Sequence, residues 1–209
     1  MASQTMPPRR YVSPVRSAAA AAKRERIVAA AARLLREKVN IAAFTLDAVA
    51  KAAGVARLTV YNQFGSRRGL LEAVFDERAR QGGLERIAEA MAMPDARAAL
   101  DRVVEIFCEF WGSDPAIVLL HEATAMDPEF AQAIADRNER RRRLVATLLR
   151  RLEPDVEEVP AHRSDAVDLI FGLTSYAMFQ MLRPGRSTKA ICTLLQAACR
   201  AAIELPRGI

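Results

Sequence analysis

"FTLDAVAKAAGVARLTVYNQFGSRRGLLEAVFDE", Phe44 to Glu77, is the stretch on which the fold turns. Thr45 stands just ahead of Leu46, where a hydroxyl can accept from the N–H groups that open a helix. Asp47 in the first turn suits the positive end of the helix dipole. Leu46, Val49, Ala50 and Ala53 then recur on one face. Gly54 follows the last apolar position and can take the left-handed conformation that ends a helix. After the turn Gly54-Val55-Ala56, a second helix is predicted over 57–64. Two short helices joined by a glycine turn make a helix-turn-helix, whose second helix fits the major groove of DNA.

The composition of that second helix agrees. Val60 and Phe64 are suited to a core, with Val55 helping from the turn. The other positions are polar and varied, which a helix needs on its outer face only if it reads something. Arg57 can donate to guanine edges, Thr59 offers a hydroxyl and a methyl, and Tyr61, Asn62 and Gln63 can bond phosphates or base edges. The next helix opens with Ser66 as its cap and then Arg67 and Arg68, cations that oppose the dipole by about 1 kcal/mol each at most. A bound phosphate would reverse that cost; a tolerated surface pair is the competing reading.

These residues resemble the TetR family of bacterial transcription regulators. The resemblance rests on Phe44-Thr45, Val49-Ala50, Ala53-Gly54-Val55, Thr59-Val60-Tyr61, Phe64 and Leu70-Leu71, spaced as in the family without a gap. Ala56 stands where serine is usual, Gln63 where histidine is common, and Arg67 where lysine is usual. The motif covers about a sixth of the chain. The resemblance implies a DNA-binding set of Thr45, Arg57, Leu58, Thr59, Tyr61, Asn62, Gln63 and Arg67. It also implies that the later helices form an effector-binding and dimerisation domain.

Composition is consistent with this division. The 209 residues carry a net charge of +6. Residues 1–80 hold fifteen Lys/Arg against six Asp/Glu, and residues 81–209 hold sixteen against nineteen. A basic end on a slightly acidic body suits a polyanion-binding segment with a second job attached. No apolar run reaches the roughly 18 residues of a membrane span, and the first residues lack a signal-like apolar segment. Three cysteines without metal-type spacing suggest buried thiols in a reducing compartment. The expected location is therefore the cytoplasm, at the nucleoid when bound to DNA.

The expected fold is all-α with about nine helices. Residues 1–16 read as a disordered basic tail, 17–80 as the helix-turn-helix domain, and 81–209 as the effector and dimerisation domain. Arg9, Arg10 and Arg16 can form a minor-groove arm or an inert tail, and Ser17 can cap the first helix. Beyond the helix-turn-helix, helical patterns occupy roughly 67–92, 96–111, 115–126, 129–152, 164–182 and 188–204, broken by Pro, Gly and Asp. The last two are amphipathic and can supply half of a four-helix interface with a second copy; burial within one chain is the alternative.

Phe107, Trp111, His121, Met126, Phe171 and Tyr176 are the candidate ligand residues. They offer bulky apolar lining with a few polar groups, as a small-molecule pocket needs, although each is also a plausible core residue. The arginine-rich run Arg137 to Arg151 reads as a solvated helix face. HExxH, GxSxG, Walker and GxGxxG signatures are absent, so neither catalysis, a metal nor a cofactor is expected. The expected partners are double-stranded DNA, a partly apolar effector and a second copy of the chain. The alternative is a helical carrier or interaction protein that has lost DNA binding.

Overall fold

Thr45 and Gly54 bound their helix as the sequence requires. The computed structural model describes residues 14–37, 41–152 and 161–204, without the side chains of 14–17 and 161–164. The threonine Oγ1 accepts from the Ala48 N–H at 3.1 Å, opening α2 (Leu46–Ala53). At the other end Gly54 sits at φ 63°, ψ 41°. There Val55 N donates to Ala50 O at 3.0 Å and Gly54 N to Lys51 O at 3.3 Å, which satisfies the last carbonyls of the helix. Then α3 (Arg57–Phe64) begins.

Around this pair lie α1 (Pro14–Glu37) and α4 (Arg67–Gln81). Ile27, Ala31, Leu35, Phe44, Val49, Val60, Leu70, Leu71 and Val74 form their shared buried core. Gly69 lets α4 close on α3: a Cβ there would lie 2.1 Å from the Phe64 carbonyl oxygen. The arrangement is a compact four-helix unit with α3 on its outside.

The remainder is a second helical layer: α5 (Ile87–Ala92), α6 (Ala96–Ser113), α7 (Ala116–Ala123), α8 (Pro128–Leu152), α9 (Ala161–Leu173), α10 (Tyr176–Leu182) and α11 (Thr188–Ile203). All the regular structure among the described residues is helical, in eleven α-helices and two short 3-10 turns, slightly more than expected. Two predicted helices are each split. The pattern over 67–92 breaks at Gly82-Gly83, where a 3-10 turn (Leu84–Arg86) leads into α5. The pattern over 164–182 breaks at Thr174-Ser175. The Thr174 hydroxyl turns back to Ile170 O at 2.8 Å, Trp111 Nε1 donates to Thr174 O at 3.0 Å, and Ser175 caps α10 through Met178 N. At the amino end α1 starts at Pro14, inside the segment read as tail. Arg9 and Arg10 lie outside the described residues, as do the side chains of Arg16 and Ser17.

Asp114 joins the two layers. Its carboxylate accepts from Arg36 at the end of α1 (Nη2 at 2.6 Å) and from Arg78 on α4 (Nη1 at 2.8 Å). It also accepts from the Ala116 N–H at 2.8 Å, at the start of α7. Burial pushes this carboxyl up, but the Arg36 hydrogen bonds, the Ala116 amide and Arg78 together hold it at about 2.

A group depressed in the folded state stabilises fully above its unfolded value, near 4, and loses that contribution as pH falls toward about 2. Asp114→Asn is expected to lower stability at neutral pH by about 3 kcal/mol, because Arg78 stays buried with a weakened partner. It should also flatten the wild-type decline between pH about 4 and about 2. Urea titrations across pH, followed by circular dichroism, check both.

Candidate functional site

The outer face of α3 is the first candidate. Val60 is fully buried and anchors the helix. Phe64 packs half-buried under the Arg24 guanidinium, 4.5 Å from the ring centroid, and Arg24 also donates to the Gln63 carbonyl. On the opposite side Arg57, Leu58, Tyr61 and Asn62 are exposed, Leu58 by 66% and Tyr61 by 55%. Thr59 and Gln63 flank them half-buried, and Thr45 is exposed at the start of α2. Leu58 and Tyr61, three residues apart, lie on one side of the helix and place apolar surface beside the polar groups. Ala56 supplies no side-chain cap, so the first N–H groups of α3 keep their hydrogen-bonding capacity. Arg57 lies 3.5 Å from Asp47, and both side chains are well exposed. Such a pair is worth less than about 1 kcal/mol and is readily exchanged for a phosphate or base edge.

Arg67 departs from this set. Its Nε donates to Phe44 O at 3.0 Å, its Nη2 donates to Ile41 O at 3.1 Å, and its Nη1 lies 3.4 Å from Asp127. It is half-buried and clasps the entry to α2 against the start of α8, where Asp127 caps Phe130 N. Arg68 pairs with Glu72 and Glu129. The two arginines at the start of α4 are thus offset by carboxylates of the protein, so Arg67, expected as a free cation for a phosphate, already has partners within the chain. The clasp brings together residues 23 and 60 positions apart, a distance over which sequence pattern is silent.

The second candidate is a cavity of about 260 Å³ between the layers. Phe75, Asp76 and Ala79 of α4 form one wall, with Leu84 and Ile87 beside them. Phe107, Phe110 and Trp111 of α6, His121 of α7, and Ile134, Arg137, Asn138, Arg140, Arg141 and Leu144 of α8 complete it. Its aromatic side is tightly packed: Phe75 meets Phe110 edge-on at 5.8 Å, and Trp111 meets both His121 and Tyr176 edge-on. His121 stacks on Tyr176 at 3.8 Å and its Nδ1 contacts Ile117 O at 2.9 Å. That carbonyl can only accept, so Nδ1 carries the proton and Nε2 is left as an acceptor. Burial holds the imidazole pKa down, which favours this neutral form.

Of the six expected ligand residues, Phe107, Trp111 and His121 line the cavity, and Tyr176 backs His121 one layer behind. Met126 and Phe171 lie apart from this cavity. Met126 is exposed at the corner between α7 and α8, and Phe171 packs against the guanidinium groups of Arg141 and Arg142 outside the wall. The α4 residues were missed because they read as core of the smaller unit. Arg141 was missed because its run reads as solvated, yet it is 94% buried, with 6% exposure. The spacing of Ile134, Arg141 and Leu148, seven residues apart and all buried, is the signal that places it on the inner face.

Comparisons with known proteins accord with this architecture. Residues 27–74 match the family profile "Bacterial regulatory proteins, tetR family", and residues 94–203 match "Tetracyclin repressor-like, C-terminal domain". The chain is 34% identical over 112 residues to the HTH-type transcriptional regulator EthR of Mycolicibacterium smegmatis, a match covering 52% of this chain and 51% of that one. The chain spans about half the length of the curated relatives it matches. In fold it is similar to a TetR-like transcriptional regulator from Rhodococcus sp. RHA1, with a TM-score of 0.68 and 19% identity over 88% of this chain and 97% of that one. It is also similar to the TetR-like regulator LfrR from Mycobacterium smegmatis in complex with proflavine, with a TM-score of 0.53 and 22% identity over 88% and 97%.

The two faces of α3 should respond differently to truncation. Val60→Ala is expected to cost about 2 kcal/mol through the cavity it leaves. Tyr61→Ala should stay within about 0.5 kcal/mol of wild type, since its side chain is mostly in solvent. Chemical denaturation of the two variants checks this.

Proposed function

We propose the following for this chain, which belongs to the TetR family of bacterial regulatory proteins: it is a dimeric, ligand-responsive transcription regulator, most simply a repressor. The supporting observation is the outward face of α3, with Arg57, Leu58, Thr59, Tyr61 and Asn62 presented beyond a buried Val60. In this reading α1–α4 bind DNA and α5–α11 bind the effector and the second copy. Thr45 and Gln63 flank the reading face, and Arg67 contributes by holding α4 and α2 together. The protein works in the cytoplasm, at the nucleoid when bound to DNA; no described helix is long and apolar enough to cross a membrane. It is a regulator and not an enzyme.

Dimerisation is proposed through α9 and α11. Ile170, Ile191, Leu195 and Ala202 are buried within the chain, so the pairing face lies on the other side of these helices. There Ala190, Leu194, Ala197 and Ala201 form an exposed stripe on α11, and Leu169 and Gly172 are exposed on α9. Small residues with one leucine per helix permit close helix packing, and two copies of α3 then match a palindromic site.

The cavity supplies the response. Its occupant touches α4, which carries the core of the reading unit, and α7, whose flanking residues Asp114 and Asp127 are tied to Arg36, Arg78 and Arg67. A ligand that fits better when α4 and α7 shift favours a dimer whose reading helices no longer sit roughly 34–36 Å apart. DNA is released to the extent of that difference in affinity.

Two measurements test the reading. With duplexes selected from random DNA by the purified protein, Arg57→Ala and Tyr61→Ala are each expected to weaken binding by about tenfold or more. Undiminished binding by the folded variants contradicts the assignment. Leu194→Asp is expected to shift the protein from dimer to monomer in light scattering, and a persistent dimer places the interface elsewhere.

A further inference from the structure

Among the described residues Arg141 is a buried cation without an anion. The arginines on either side of it in α8 have carboxylates of their own: Arg137 holds Glu72 and Asp76, and Arg142 pairs with Asp168 and Glu139. Among the described residues Arg141 itself has only neutral hydrogen-bond partners, Thr174 Oγ1 at 3.3 Å and Asn138 Oδ1 at 3.4 Å, both long. Its Nε has no hydrogen-bond acceptor. The guanidinium lies over Phe171 at 4.4 Å and Phe107 at 5.6 Å. Burial and the nearby charge of Arg142 pull its pKa down to about 10, so it remains charged at neutral pH.

A buried, unpaired charge is costly, and a fold keeps one where something else neutralises it. Arg141 lines the interlayer cavity, whose remaining wall is largely Phe75, Leu84, Ile87, Phe110, Ile134 and Leu144. The one acid in that wall, Asp76, is mostly exposed and already bridged to Arg137 at 2.7 Å. A planar fork of donors set among aromatic and aliphatic groups matches a carboxylate carried on an apolar body.

We infer that the effector is an organic monocarboxylate, its carboxylate bound by Arg141 with Asn138 beside it and its hydrocarbon part lying against Phe75, Phe107 and Phe110. The inference rests on the cavity being the effector site, as proposed above. A carboxylate seated there neutralises the buried cation that has no carboxylate partner among the described residues and presses its apolar part on α4, so binding and the shift of the reading unit are joined in one event. Neutral molecules of the same shape leave Arg141 uncompensated and bind less well.

The test uses the full chain, with straight-chain carboxylates of four to twelve carbons and the matching primary amides as probes. Calorimetry on wild type is expected to give at least one carboxylate bound about tenfold or more tighter than its amide. Arg141→Met should abolish that preference. The same variant is expected to raise the unfolding midpoint of the ligand-free protein, because it removes a buried unpaired charge, and to lose the further rise that the carboxylate gives wild type. Arg141→Lys, which keeps the charge but not the fork, should retain part of the preference. Equal binding of acid and amide, a preference that survives Arg141→Met, or no binding of any carboxylate overturns the inference. DNA is absent from these readouts. A chain that prefers carboxylates through Arg141 supports the inference even if it binds no duplex, a result that defeats only the regulator reading; a chain that binds duplex without such a preference defeats only the inference.

Discussion

The Asp114 carboxylate holds three helices in register. Arg36 reaches it from α1 and Arg78 from α4, while its own backbone leads into α7 through the Ala116 amide. Arg78 is buried, so the contact is not an ornamental surface pair; removing one member leaves a charge in a poor dielectric. Asp127 repeats the device at the far end of α7, capping α8 and meeting Arg67. The α1–α4 unit is therefore fastened to the larger layer at two points, and α7 runs between them. His121, in the last turn of that helix, lines the cavity.

The helix α4 serves two cores. Leu70, Leu71 and Val74 pack with α1 and α3, whereas Phe75 and Ala79 form a wall of the cavity. Because interiors are close-packed, a change at Phe75 is transmitted and not absorbed. Gly69 tightens the link by letting α4 press on the last carbonyl of α3. What the cavity holds and how α3 is aimed are thus consequences of one helix position.

Local chemistry made part of this legible in advance. The bounds of α2 and α3 follow from Thr45, Gly54 and the apolar spacing, since caps and periodicity act within a few residues. The exposed face of α3 follows from Val60 as the anchor. Tertiary features were not legible. Nothing near Arg67 in sequence points to Ile41, Phe44 and Asp127, and nothing near Phe75 says that half of α4 belongs to a cavity. The break at Thr174-Ser175 depends on Trp111, 63 residues away. Phe171 was expected in the cavity because it is aromatic on a helix; the structure instead places it against Arg141 and Arg142. Arg141 itself was hidden among four consecutive arginines, where composition masks the single inward-facing position.

The outward face of α3 is where the proposed contact with DNA is most directly tested. Hydroxyl-radical footprinting of the full chain, read by mass spectrometry, reports side-chain access at Leu58 and Tyr61, and Met126 serves as an exposed internal standard far from α3 in sequence. On adding a selected duplex, Leu58 and Tyr61 are expected to lose most of their reactivity while Met126 keeps its own. Tyr61 and Leu58 remaining fully reactive at saturating duplex would contradict the claim that α3 is the element that reads DNA.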